Sequence, residues 1–183
     1  MIIGITGTLG SGKGTVVEYL KTKGFKHYSV SEFISEEIVR RGLPINRDTM
    51  TEIGNDLRKV HGPGYITTEL LKRAGETDGS AVIESIRSVG EVENLKKHGA
   101  VLWAVDADIR RRYERIAKRK SEKDAVSFER FVADEDRESK GTDPAEMNLP
   151  KCIAMADVVL TNNGTQEELF AQVERALRKA GYV

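Results

Sequence analysis

With 183 residues the chain can bury one good hydrophobic core, and length alone suggests one domain carrying insertions. Its 29 basic and 29 acidic residues cancel, so no global field draws it to nucleic acid or a membrane surface, and no apolar run reaches transmembrane length. The lone cysteine, Cys152, excludes an intramolecular disulfide, reads as a small packed residue rather than a nucleophile, and points to a cytoplasmic protein.

The chain opens on a short apolar run, residues 1–6, too brief for a secretory core segment and suited to a buried strand. Gly7-Thr8-Leu9-Gly10-Ser11-Gly12-Lys13-Gly14-Thr15 follows, and then Val16, Val17 and Leu20 fall on one side of a helix. Strand, glycine-rich turn and helix in that order are the context of a phosphate-binding loop. Glycines let several backbone N–H groups point inward as a nest, the helix N-terminus adds its positive end, and Lys13 supplies a point charge. The spacing fits G-x-x-x-x-G-K, but Gly14 stands where a Ser or Thr is usual and the hydroxyl arrives one position later, at Thr15. A Mg²⁺ ion here is therefore expected to be held largely by phosphates and water.

The first helix should end near Lys23-Gly24, and residues 25–30 form a short candidate strand. Ser29 and Glu32 spell a capping box for a helix over 31–41, stopped by Gly42 and Pro44. A helix over 48–60 carries Met50, Ile53, Leu57 and Val60 at helical spacing; His61-Gly62-Pro63-Gly64 breaks it, and another spans 65–73. After a turn over 75–79, residues 80–84 are an apolar run fit for a buried parallel strand. A helix over 89–98, a strand over 100–105 and a highly charged helix over 109–119 come next. Residues 121–150 hold few apolar side chains and much charge, which predicts an exposed, mobile segment. The last strand is 156–160; Asn162-Asn163-Gly164 turns the chain, and Thr165-x-x-Glu168 caps a final helix carrying Leu169, Val173 and Leu177. His27, His61 and His98 are scattered without metal-ligand spacing and read as surface or loop residues.

Apolar strands alternating with helices predict an α/β fold: a three-layer, five-stranded parallel sheet with helices on both faces. Ligands of such sheets lie beyond the carboxyl ends of the strands, so Ser31, Glu84, Arg87, Asp106, Asp108, Asn163, Gly164 and Thr165 should converge on the glycine-rich loop. Phosphoryl transfer asks for in-line positioning and positive charge more than for covalent help. Arg87 follows a strand end, where its fork can grip an acceptor's phosphate. Arg112, Arg115 and Arg119 share one helix face leading into the charged segment, and Arg137 is a further candidate contact there. Glu84 is placed to orient water on Mg²⁺ or to cap the following helix; Ser31 can touch the acceptor or cap its own helix. Arg58 can reach the acceptor pocket, although a lone helical arginine is more often exposed.

The whole chain resembles a small P-loop nucleotide kinase, close to adenylate kinases and an archaeal adenylate-kinase-related group. Gly10-Ser11-Gly12-Lys13-Gly14-Thr15 is similar to the adenylate kinase loop, and Glu84-Ser85-Ile86-Arg87 resembles the element after the third strand whose arginine binds the monophosphate. The resemblance implies ATP and Mg²⁺, with Lys13, Arg87 and Arg119 acting on the phosphates; by position in the chain, Thr15 and Glu84 are the candidates beside the metal and Arg137 a further catalytic candidate. Arg115 falls where such kinases begin their lid, and Asn163-Gly164-Thr165 resembles the loop whose backbone reads the donor base. It also implies a core of residues 1–32, 79–119 and 150–183, an acceptor-binding insertion over 33–78 and a lid over 120–149, in a monomer or small homo-oligomer.

The chain departs from that pattern on the acceptor side. Ser35 and Glu36 stand near where adenylate kinases carry an arginine, so Arg40, Arg41 or Arg58 would have to replace it, and the strand-end aspartate is Glu84. Two other readings compete with a nucleoside monophosphate kinase. A dephospho-coenzyme A kinase is similar around Asn162-Asn163-Gly164 but wants an aspartate base after the second strand, where this chain has Val30-Ser31 with Glu32 beyond. A non-catalytic nucleotide-binding switch is the other, and Thr161-Asn162-Asn163-Gly164 lacks the Asn-Lys-x-Asp base reader of GTPases.

Overall fold

Apolar runs too short for helices become most of the strands of one parallel sheet in a computed structural model that describes residues 1–77, 79–118 and 127–182. The strands are β1 (Ile2–Gly7), β2 (Lys26–Ser29), β3 (Ala81–Ile86), β4 (Val101–Asp106) and β5 (Val158–Thr161), in the order β2-β3-β1-β4-β5. All four pairings are parallel, so each crossover carries helices across a face; the inner strands β1, β3 and β4 are mostly buried, while the edge strand β2 is the polar Lys26–Ser29.

The helices are α1 (Lys13–Thr22), α2 (Val30–Arg40), α3 (Arg47–His61), α4 (Tyr65–Gly75), α5 (Val89–Lys97), α6 (Ile109–Lys118), α7 (Phe128–Arg137), α8 (Leu149–Ala154) and α9 (Gln166–Lys179). Alternation along the strands sorts the core into two layers. Ile3, Ile5, Trp103 and Val105 pack with Val16, Leu20, Val173 and Leu177 of α1 and α9. Ile83, Ile86 and Leu102 pack with Ile34, Ile53, Leu57, Leu70 and Leu95 of α2 to α5. Cys152 is buried in that second layer, and burial pushes its thiol up to about 12, which keeps it an unreactive packed residue.

Helix ends follow their spelling. Thr165 and Glu168 form the reciprocal box that opens α9, whereas Ser29 caps α2 by accepting from the Glu32 N–H. No helix among the described residues is long and apolar enough to cross a membrane.

The segment over 121–150 differs from expectation. Its described part holds α7, the start of α8 and a buried run that includes Ala145, Met147 and Leu149. Composition misleads here because the inward side of α7 is mostly charge. Phe131 is buried against Tyr113 of α6, at 5.8 Å between ring centroids, but Asp134 and Glu138 are buried too, each against an arginine from elsewhere in the chain. The return from α7 is also stitched to the β3–α5 turn: Asn148 N–H donates to the Arg87 carbonyl at 2.8 Å and Gly90 N–H to Pro144 at 3.0 Å. Residues 121–126 lie outside the described residues.

Candidate active site

The loop after β1 is shaped by contacts that tolerate no side chain. At Gly7, φ is 141° and a Cβ would lie 2.1 Å from the Val105 carbonyl oxygen; at Gly12, φ is 102° and a Cβ would lie 2.2 Å from Asn162 Nδ2. Gly12 caps α1 without a side-chain hydrogen bond; its carbonyl accepts from the N–H groups of Thr15 at 3.0 Å and Val16 at 3.3 Å. Lys13 curls back over the turn, its Nζ donating to the carbonyls of Gly7 and Thr8, both at 2.8 Å, which puts the ammonium at the loop's centre. Gly10 lies against the Arg112 carbonyl, Gly14 is exposed, and Thr15 sits half-buried in the first turn of α1. The Ser11 hydroxyl is buried and finds no hydrogen-bond partner among the described residues.

Strand ends converge on this loop. Thr6 Oγ1 donates to the Ile86 carbonyl at 2.8 Å, which ties the ends of β1 and β3 together, and Thr8 Oγ1 reaches Asp106 Oδ1 at 3.3 Å at the end of β4. Glu84, near the end of β3, accepts from Ser29 Oγ at 2.6 Å and from Ser85 Oγ at 2.7 Å, with His27 Nε2 at 3.8 Å. Burial by itself would raise its pKa; His27, Ser29, Ser85 and the charge of Lys13 together outweigh that and bring it to about 2. The next residue, Ser85, has φ 66°, a left-handed conformation unusual for a non-glycine and of a kind that clusters at ligand sites.

On the β5 side, Asn162 is the organiser and Asn163 its neighbour. Asn162 Nδ2 donates to the Ser11 carbonyl at 2.8 Å, while its carbonyl and Oδ1 accept from Arg115 Nη2 at 2.8 and 3.3 Å. Arg115 therefore stands over the loop from α6. Asn163 Oδ1 accepts from the Asp108 N–H at 2.7 Å, Gly164 makes room for the Glu168 carboxylate, and the Thr165 hydroxyl caps α9. Asn162 was legible only as part of a turn; its paired spelling with Asn163 is the one signal for it.

Beyond the loop lies a cleft of about 470 Å³ between α2, α3 and the end of β3. Ser31, Ser35, Met50, Arg47, Arg58, Ser85, Arg87 and Glu138 are among its lining residues. Arg58 overturns the expectation of exposure. It is 2 % exposed and pairs at 2.8 Å with Glu91, itself 0 % exposed, whose other oxygen accepts from the N–H groups of Arg87 and Ser88. Burying an arginine is allowed because a carboxylate already held by a helix cap is waiting for it. Ser88-x-x-Glu91 is a capping-box spelling, the one sign of Glu91 in the sequence. Arg87 meets Glu138 at 2.6 Å, Arg47 meets Asp134 at 2.7 Å, and Arg137 reaches across to Asp48 at 2.8 Å. Arg112 binds Glu135 of α7 while donating to the Leu9 carbonyl, so α7 is tied to the phosphate loop as well as to α3. Arg119 lies outside the described residues. Arg40 and Arg41 bind Glu37 on α2, away from the cleft-lining residues.

Among the described residues no group of three His, Cys, Asp or Glu side chains is gathered for a metal.

Comparison with known proteins supports the family and the fold. A model of the AAA domain family matches residues 3–141. A UPF0200 protein of Methanococcus vannielii is 30% identical, over 97% of this chain and 95% of its own. The crystal structure of shikimate kinase from Aquifex aeolicus is similar with a TM-score of 0.53 at 20% identity, over 99% of this chain and 98% of that one. Dephospho-CoA kinase from Campylobacter jejuni superposes with a TM-score of 0.50 at 15% identity, over 97% and 96%. At those identities the two kinases share the fold.

Proposed function

The chain belongs to the AAA domain family and is a relative of the UPF0200 proteins, and on that premise we propose that it transfers the γ-phosphoryl group of ATP to a nucleoside monophosphate. The carrying observation is the adjacency of two sites. Thr6 ties the end of β1 to the end of β3 at 2.8 Å, so a phosphate-shaped loop and an arginine-floored cleft of about 470 Å³ open side by side at the carboxyl ends of two neighbouring strands. That volume suits a mononucleotide.

In this reading the loop amides and Lys13 hold the donor's phosphates, Arg115 stands over them, and the Asn163-Gly164-Thr165 turn faces the donor base. Arg87 receives the acceptor's phosphate, and Ser31 lies along the acceptor. Mg²⁺, with Thr15 and Glu84 as its protein contacts, would neutralise charge on the phosphates. Arg137 and Arg119 are assigned to the closing side. Arg58, in contrast, supports the cleft wall through Glu91. The protein works in the cytoplasm, as a monomer or small homo-oligomer.

A hydroxyl acceptor, as in a dephospho-coenzyme A kinase, is the second reading, since Arg47, Arg58 and Arg87 each already face a carboxylate. Glu32, the carboxylate that the sequence offers this reading as a base, is exposed and is not among the residues that line the cleft. The test is ADP release from ATP and Mg²⁺ across AMP, CMP, UMP, GMP, their deoxy forms and dephospho-coenzyme A. A nucleoside monophosphate should stimulate release at least a hundredfold, Lys13→Ala should abolish it, and Arg87→Ala should raise the acceptor KM tenfold or more. Stimulation by dephospho-coenzyme A alone transfers the assignment to the second reading; acceptor-independent hydrolysis identifies a switch.

A further inference from the structure

Among the described residues three arginines line the cleft, and their partners differ in kind. Arg58 faces Glu91, which is fully buried and also clamped by two backbone N–H groups, so that pair is part of the frame. Arg47 faces Asp134 on α7. Arg87 faces Glu138, and among these three carboxylates Glu138 is the one that itself lines the cleft. Its Oε1 sits 2.6 Å from Arg87 Nη1, where an oxygen of an acceptor's anionic group would have to sit.

We propose that Glu138 is an internal occupant of the acceptor's anion subsite: it holds Arg87 when the cleft is empty and is displaced by the phosphate of the incoming acceptor. The inference rests on the reading of Arg87 as the acceptor-phosphate residue. Two features make the exchange physically reasonable. The Arg87 side chain is 23 % exposed, so an incoming anion reaches the guanidinium from its own side although the Glu138 carboxylate is buried at 7 %, whereas the Arg58 pair is closed on both sides at 2 % and 0 %. The backbone of Glu138 is held independently of its carboxylate, by its N–H to Asp134 at 3.2 Å and by its carbonyl, which accepts from Leu149 at 3.1 Å. The side chain can therefore leave Arg87 while α7 stays in place.

The arrangement selects as well as gates. A neutral ligand gains little from Arg87 because Glu138 already satisfies it, and only a group that competes for the guanidinium can take the position. With both anions in the cleft, repulsion taxes acceptor binding, and removing the resident one should relieve that tax. Glu138 thus acts as a specificity-determining residue for anionic acceptors, through Arg87.

Titration calorimetry on the full chain tests it, with AMP, CMP and inorganic phosphate as probes and ATP·Mg²⁺ as the control. Glu138→Gln should bind at least one of the probes ten times more tightly than wild type and leave ATP·Mg²⁺ affinity within twofold. Glu138→Gln combined with Arg87→Ala should lose that gain. Equal or weaker probe affinity in Glu138→Gln, or no probe binding in either protein, overturns the proposal; thermal melting of the variants identifies a misfolded protein, and Glu138→Ser then takes the same test. The calorimetry needs no turnover, so it fails or succeeds separately from the acceptor panel that tests the kinase reading.

Discussion

Replacing Arg58 by Met separates a supporting arginine from a substrate contact. The side chain is 2 % exposed and its Glu91 partner 0 %, so the substitution leaves a buried carboxylate without its cation. Breaking a buried pair by removing one partner costs about 3–5 kcal/mol. The lower end, about 3 kcal/mol, applies here, because Glu91 keeps the N–H groups of Arg87 and Ser88 at 3.0 and 3.2 Å. For a domain of ordinary stability, about 5–15 kcal/mol, that is a large fraction. With a urea dependence of about 2 kcal/mol per molar, the unfolding midpoint should fall by about 1.5 M. Adding Glu91→Gln should recover part of the loss, since the amide oxygen still accepts from the backbone and no unpaired charge remains. Urea melts followed by tryptophan fluorescence suit the measurement, because Trp103 is fully buried in the sheet. A variant that unfolds within about 0.5 M of wild type while its acceptor KM rises tenfold would refute the reasoning and return Arg58 to the list of substrate contacts.

Glu84 predicts a pH dependence. Its folded pKa of about 2 lies below the ordinary 4.5, so the unfolded chain binds more protons between those values. Its contribution is complete above about pH 5 and is lost as pH falls toward 2, to an extent of about 3 kcal/mol at most. Glu84→Gln should flatten that part of the acid-stability profile, and an unchanged slope would show that Ser29, Ser85 and His27 do not hold the ionised form. Phe131→Ala should cost about 3–5 kcal/mol if α7 unfolds with the whole domain. Fast amide exchange confined to α7, with the sheet still protected, would instead show that α7 opens by itself.

How far the molecule could be read from its sequence depended on how local each signal was. Apolar runs located the inner strands, because a buried parallel strand needs one wherever it lies, and periodicity located most helices. The phosphate loop was equally legible, since its glycines answer to conformation and close approach within a few residues: Gly7 and Gly12 stand where φ is positive and no Cβ fits. The box spelled by Thr165 and Glu168 closes within one turn.

The acceptor side was different. Arg58 looked like a surface residue because its partner lies 33 positions away, and α7 looked mobile because its inward charges find their partners only across the fold. Asp134 meets an arginine 87 residues earlier, so nothing in the local composition of α7 says that its buried face is neutralised. By itself, then, the order of residues determined the layered sheet and the cage for phosphates, both products of short-range pattern. Tertiary structure alone decided which arginines frame the cleft and which one still has a displaceable partner, because a buried charge takes its meaning from whatever opposite charge the fold brings to within about 3 Å of it.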